Sequence, residues 1–98
     1  MRVAAGEKLP LKQDEIKLRG HAIEARIYAE DCDEEFRPSP GKIEYLREPR
    51  HWYSADPDDN VRVDTGIVQG DTISSNFDPM ISKLIVWGEN WDDAIWRL

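Results

Sequence analysis

Residues 20–30 read GHAIEARIYAE, followed at once by the acidic run Asp31, Asp33, Glu34 and Glu35. The stretch alternates cleanly. Ile23, Ala25, Ile27 and Ala29 fall on one parity, and Glu24, Arg26, Tyr28 and Glu30 on the other. A period of two over this length predicts a half-buried β-strand with an apolar inner face and a charged outer one. Two readings of the outer face stand side by side. A carboxylate, a guanidinium, a phenol and a second carboxylate in line can form a solvated charge ladder, the commoner outcome, or can present that row to a ligand.

Outward from this strand, the chain reads as a succession of short β segments. Residues 42–46 form a second strand after the turn Pro38-Ser39-Pro40-Gly41. Residues 48–60, with Trp52, Tyr53, Asp56, Asp58 and Asp59, carry little pattern and read as a surface loop, long enough to suggest a function. Residues 61–67 form a third strand, with Val61, Val63, Thr65 and Ile67 inward, and Gln69-Gly70-Asp71 a tight turn. Residues 72–77 form a fourth, broken at Asp78-Pro79 because proline brings no amide hydrogen to a ladder. Residues 81–87 are the most apolar strand, expected at the centre. Asn90 then caps a helix, with Asp93 at the capping-box position and Trp91, Ala94, Ile95 and Leu98 on one face. At the other end, residues 2–6 read as the last turn of a helix closed by Gly6. Helices this short are marginal alone, so both ends are expected to continue in a longer protein.

Composition narrows the function. The chain has 98 residues, room for one small domain, and 13 Lys and Arg against 20 Asp and Glu give a net charge of −7. That balance argues against a nucleic-acid or anionic-membrane partner, which requires clustered basic residues. No apolar run reaches the roughly 18 residues of a membrane span. Cys32 is the single cysteine, expected to be an inert thiol in a reducing compartment. Gly41-Lys42 lacks the remaining residues of a phosphate-binding loop. His21 and His51 do not have zinc-ligand spacing, and Phe36 stands where a calcium loop requires glycine, so no metal site is expected. Composition and spacing together describe an acidic, mainly antiparallel β domain without a catalytic set of its own.

The segments RVAAGEKLPL, GHAIEARIYAED, PSPGKIEYL, VRVDTGIVQGD and FDPMISKLIVWGENWDDAI occur in that order across residues 2–98. Together they resemble the carboxy-terminal domain of biotin carboxylase, the ATP-dependent module of acyl-CoA, acetyl-CoA and pyruvate carboxylases. The resemblance implies an α+β fold, mainly an antiparallel sheet of barrel-sandwich type, with helix ends at both termini and residues 1–98 forming one domain. It also implies a ligase reaction in which ATP and bicarbonate carboxylate biotin at N1'. In the family, the arginine of the GHAxExRI strand stabilises the ureido oxyanion. It matches Arg26; Glu24 and Tyr28, on the same strand face, either orient it or simply pack at the surface. Arg62 and Asp78 match positions at the contact between two protomers. The implied cofactors are biotin, as substrate on a carrier domain, and ATP with Mg, bound by an ATP-grasp region that this chain does not contain.

The implied partners are the biotin carboxyl carrier domain, a second protomer and a carboxyltransferase subunit, in the cytoplasm of a bacterium or archaeon or in a mitochondrial matrix. The wording DTGIVQGD leans towards carboxylases of propionyl-CoA or 3-methylcrotonyl-CoA type. Cys32 stands where the family often has proline, and the loop from Arg50 to Asn60 is longer than in compact bacterial subunits. Lys83 is expected to be structural: Met80-Ile81-Ser82-Lys83 lies in an apolar strand, unlike the Met-Lys-Met hairpin of a biotinyl carrier. The rival reading is a non-catalytic β module that binds a protein partner through Trp52 and Tyr53.

Overall fold

A computed structural model of the protein describes residues 1–49 and 60–98. Its elements are β1 (His21–Tyr28), β2 (Glu30–Asp31), β3 (Arg37–Pro38), β4 (Gly41–Lys42), β5 (Val61–Thr65), β6 (Thr72–Ile73), β7 (Met80–Gly88) and α1 (Trp91–Arg97). A three-stranded antiparallel sheet of order β1-β7-β5 carries the fold, and β2-β3 and β4-β6 form two short antiparallel ribbons beside it. The mainly antiparallel α+β reading stands, with open sheets and one carboxy-terminal helix. As its apolar sequence predicts, β7 is the central strand.

Register explains the core. Ile23 and Val61 flank Val86 from either side, and Ala25 and Val63 flank Leu84. These are the inward parities of three strands meeting on one face. Val86 is fully buried and Val63 nearly so. Between Ile27 and Tyr28 the register slips by one residue, so that Ile27 opposes Ser82 and Tyr28 opposes Met80. The extra residue, Ile81, lines an apolar cavity of about 190 Å³ with Ile27, Val63 and Leu84. Strict alternation would have placed Ile81 with Lys83 and Ile85; the bulge releases it from that face.

Helix α1 follows β7 directly. Asn90 Oδ1 accepts the Asp93 amide at 2.9 Å, and its Nδ2 donates to Asp93 Oδ2 at 2.9 Å, the cap read from the sequence. Ala94 is completely buried. Gly88 permits that closeness, because a Cβ there would collide with the backbone of Asp93 and Ala94. Trp91 stacks on His21, ring centres 5.0 Å apart. The expected apolar face is otherwise uncovered, since Trp91, Ile95 and Leu98 are all more than half exposed.

Three expected strands are shorter than their patterns. The strand over 42–46 is limited to Gly41–Lys42; beyond it the Ile43 amide donates to Asp71 O and the Leu46 amide to Gln69 Oε1. The strand over 72–77 ends at Ile73, where Ser74 Oγ takes the Asn76 amide at 3.0 Å and turns the chain. Hydroxyl side chains compete with a ladder in this way. The strand over 61–67 ends at Thr65. Near the amino terminus, the expected helix end is a single 3-10 turn, Val3–Ala5, closed by Gly6 at φ 90° with its amide on Val3 O. Most of the loop over 48–60, including Trp52 and Tyr53, lies outside the described residues.

Candidate functional site

The face of the sheet opposite the core is charged, and its composition follows from register. Glu24 on β1 lies across from Ile85, which lies across from Arg62 on β5. One step along, Arg26 lies across from Lys83, which lies across from Asp64. Tyr28 extends the β1 row beyond Arg26. Two arginines, two carboxylates, a lysine and a phenol therefore share one open face, drawn from three strands.

The two arginines are held differently. Arg26 Nε donates to Glu24 Oε1 at 2.9 Å, a pairing natural to residues two apart on a strand, which share a face. The Glu24 carboxylate, and after it the Tyr28 hydroxyl, raise the Arg26 guanidinium above its ordinary value. Arg62 has the same spacing to Asp64 but gives it two nitrogens, Nε to Oδ1 and Nη2 to Oδ2, both at 2.8 Å. That bidentate fork occupies one whole edge of the Arg62 guanidinium. Arg26 is gripped by Glu24 through Nε, so the terminal Nη groups project beyond that pairing on a side chain that is 57% exposed.

The carboxylates respond in turn. Glu24 is held below its ordinary 4.5 by the Arg26 hydrogen bond, opposed by desolvation, with Lys83 lowering it further and Asp64 raising it. Asp64 is held below its ordinary 3.8 by Arg62, again against desolvation, with Lys83 assisting. Both carboxylates thus remain anionic at neutral pH beside two cations that remain charged.

The structure brings together Glu24, Arg26 and Tyr28 as expected, and places Arg62 on the same face. It does not bring Asp78 there. Asp78 precedes β7, and its Oδ1 accepts the Met80 amide at 2.8 Å, the Asx turn that Asp-Pro favours. It lines a broad hollow of about 410 Å³ with Asp71, Thr72 and Phe77. Lys83, expected to be structural, stands on the same face, between Arg26 and Asp64. Its signal was a lone charge in the apolar run MISKLIVW, which becomes informative once β1 and β5 are known to flank it. Among the described residues, no group of three His, Cys, Asp or Glu side chains is placed to hold a metal ion.

Residues 24–98 match the model of the biotin carboxylase C-terminal domain. The chain belongs to that family. Over its whole length it is 49% identical to the mitochondrial methylcrotonoyl-CoA carboxylase alpha subunit of Rattus norvegicus, covering 13% of that protein. It is 45% identical to the biotin carboxylase of Nostoc, covering 100% of this chain and 20% of that one. Among solved structures, the biotin carboxylase domain dimer of Hydrogenobacter thermophilus 2-oxoglutarate carboxylase, in complex with MgADP, ADP and bicarbonate, superposes with a TM-score of 0.78. It is 38% identical, over 98% of this chain and 20% of that chain. Campylobacter jejuni biotin carboxylase gives a TM-score of 0.76 at 42% identity, over 98% and 20%. The chain therefore spans a fifth or less of the relatives named here. The matched region begins at Glu24 and takes in every residue of the charged face.

Proposed function

We propose that the chain is the carboxy-terminal domain of a biotin carboxylase, an ATP-dependent ligase, and that Arg26 stabilises the ureido oxygen of biotin as N1' loses its proton. The supporting observation is the grip on Arg26: Glu24 fixes the guanidinium at Nε and the Tyr28 hydroxyl supports it, so the group is oriented on a side chain that stays 57% exposed. As the proton leaves N1', negative charge builds on the ureido oxygen. A preorganised cation that meets that charge lowers the barrier more than it favours the neutral ground state. Arginine suits the task because it stays protonated and offers several donors in a fixed plane. Glu24 and Tyr28 orient it.

In this reading residues 1–98 form one domain, and the ATP-grasp portion elsewhere in the protein supplies the sites for ATP, Mg and bicarbonate. Biotin arrives on a carrier domain, a carboxyltransferase subunit consumes the product, and Arg62 and Asp78 contribute to contact with a second protomer. The relatedness to methylcrotonoyl-CoA carboxylase alpha subunits favours 3-methylcrotonyl-CoA over propionyl-CoA as the eventual acceptor. The compartment is the mitochondrial matrix for a eukaryotic source and the cytoplasm for a bacterial or archaeal one.

The test is Arg26→Ala in the full-length enzyme. Biotin carboxylation should fall by about 10²–10³, as when one oxyanion donor is removed, while KM for ATP stays the same. A variant that carboxylates biotin at the normal rate would remove Arg26 from the reaction.

A further inference from the structure

Lys83 stands at the centre of the charged face. On β7 it is opposed by Arg26 on one side and Asp64 on the other. Strands in a sheet lie about 4.8 Å apart, so the Arg26 and Asp64 backbones are separated by roughly 10 Å with Lys83 filling the lane between them. That gap is within the combined reach of an arginine and an aspartate side chain.

The groups that face this lane are Glu24, Arg26 and Tyr28 on β1, Lys83 on β7, and Arg62 and Asp64 on β5. The Asp64 charge disfavours the anionic form of Glu24, whereas Lys83 favours the anionic form of both. Asp64 is already paired with Arg62 through two hydrogen bonds, and Glu24 with Arg26 through one. The single bond is the weaker hold. Removing the Lys83 cation would take away an attraction felt by both anions and clear the lane between Arg26 and Asp64, opening a path for Arg26 to swing towards Asp64.

We propose that Lys83 is a positioning residue for Arg26: from the central strand it keeps Glu24 with Arg26 and Asp64 with Arg62, and so holds the Nη edge of Arg26 at the biotin side. The inference deepens the reading of Arg26 as the ureido-facing cation and rests on it. Lys83 itself need not touch biotin.

The experiment uses the full-length carboxylase with free biotin as substrate. Lys83→Met should raise KM for biotin about threefold to fivefold, the size of one cross-strand charge contact, and leave KM for ATP unchanged. The acid limb of its pH profile for kcat/KM on biotin should move to higher pH. Lys83→Arg should restore both properties, and Lys83→Gln should repeat the Met result, because the lost charge and not the thioether is the cause. Adding Asp64→Asn to Lys83→Met should bring KM for biotin back, because the competing anion is gone, and in a Glu24→Gln background Lys83→Met should have no further effect. Wild-type KM and pH profile in Lys83→Met, or failure of Asp64→Asn to rescue it, would overturn the proposal. Arg26→Ala run alongside separates the two ideas. If it leaves carboxylation intact, the reading of Arg26 fails; if it abolishes carboxylation while Lys83→Met is silent, only the role of Lys83 fails.

Discussion

Arg26 and Arg62 occupy the same local motif, an arginine two residues from a carboxylate on one strand face, yet their chemistry differs. Asp64 takes two nitrogens of Arg62, whereas Glu24 takes the Nε of Arg26. Arg26→Lys is therefore expected to fail as a replacement in the full-length enzyme. An ammonium has no Nε to be gripped while a separate donor edge faces substrate, so biotin carboxylation should remain within about tenfold of the Arg26→Ala level, the span of a single hydrogen-bond contribution. Recovery to near the normal rate would show that charge alone suffices. The same pairings set a pH dependence. Both carboxylates are lowered by their arginines from 4.5 and 3.8, so their contribution to folding is complete above those ordinary values and lost as pH falls through the depressed ones. Urea midpoints should hold steady down to about pH 5 and decline below it, and Glu24→Gln with Asp64→Asn should flatten the decline. The effect should be small, because exposed ion pairs contribute little; an unchanged acid slope in the double variant would count against it. Alternation in the sequence was enough to place Glu24, Arg26 and Tyr28 on one face. Which nitrogen of each arginine is engaged depends on side-chain rotamers, which a pattern of residue types does not encode. The place of Lys83 between Arg26 and Asp64 lies in register, and register requires knowing which strands are neighbours.

At the scale of elements, long patterns were legible and short ones were not. β1 and β5 follow from alternation, and β7 from its continuous apolar run between turn signals. β4 and β6 are two-residue pairs whose extent depends on each other, with Gly41 opposite Ile73 and Lys42 opposite Thr72, so neither segment alone states where it stops. The bulge at Ile81 was equally silent, since one added residue leaves an apolar run looking apolar. The junction of β7 and α1 gives the sharpest test at this scale. Gly88→Ala forces a methyl into the Asp93 and Ala94 backbone and should destabilise by about 1–3 kcal/mol, the range for overpacking. Asn90→Ala removes the amide-capping oxygen and should destabilise by about 1 kcal/mol. Gly66, where a Cβ would meet open space, is the control, and Gly66→Ala should be close to neutral in the same urea series. Equal losses at Gly88 and Gly66 would show that α1 does not depend on this close approach.

The whole molecule has more apolar surface than its own core can cover. Among the described residues, only Val63, Val86 and Ala94 are buried apolar side chains, while Leu9, Leu11, Ile16 and Leu18 in the amino-terminal segment and Trp91, Ile95, Trp96 and Leu98 at the helix are exposed. Every residue from Met1 through Ala22 is exposed. The radius of gyration, 17.3 Å, exceeds the roughly 13 Å of a compact domain of about 100 residues. In the rat alpha subunit, of which the chain spans 13%, the matching region is part of a much longer protein. Three consequences are expected for the 98-residue chain on its own: marginal stability, binding of a hydrophobic dye, and no bicarbonate-dependent ATP hydrolysis. Hydrogen exchange would locate the difference. Amides of β7, hydrogen-bonded on both sides by β1 and β5, should be the slowest in the isolated chain and in the full-length enzyme alike, because central strands open only with global unfolding. Amides of α1 should exchange within a small factor of unprotected rates in the isolated chain and become strongly protected in the full-length enzyme. If α1 were equally protected in both, its outer face would need no partner, and the exposed Trp91, Ile95 and Leu98 would be surface residues of a self-sufficient domain.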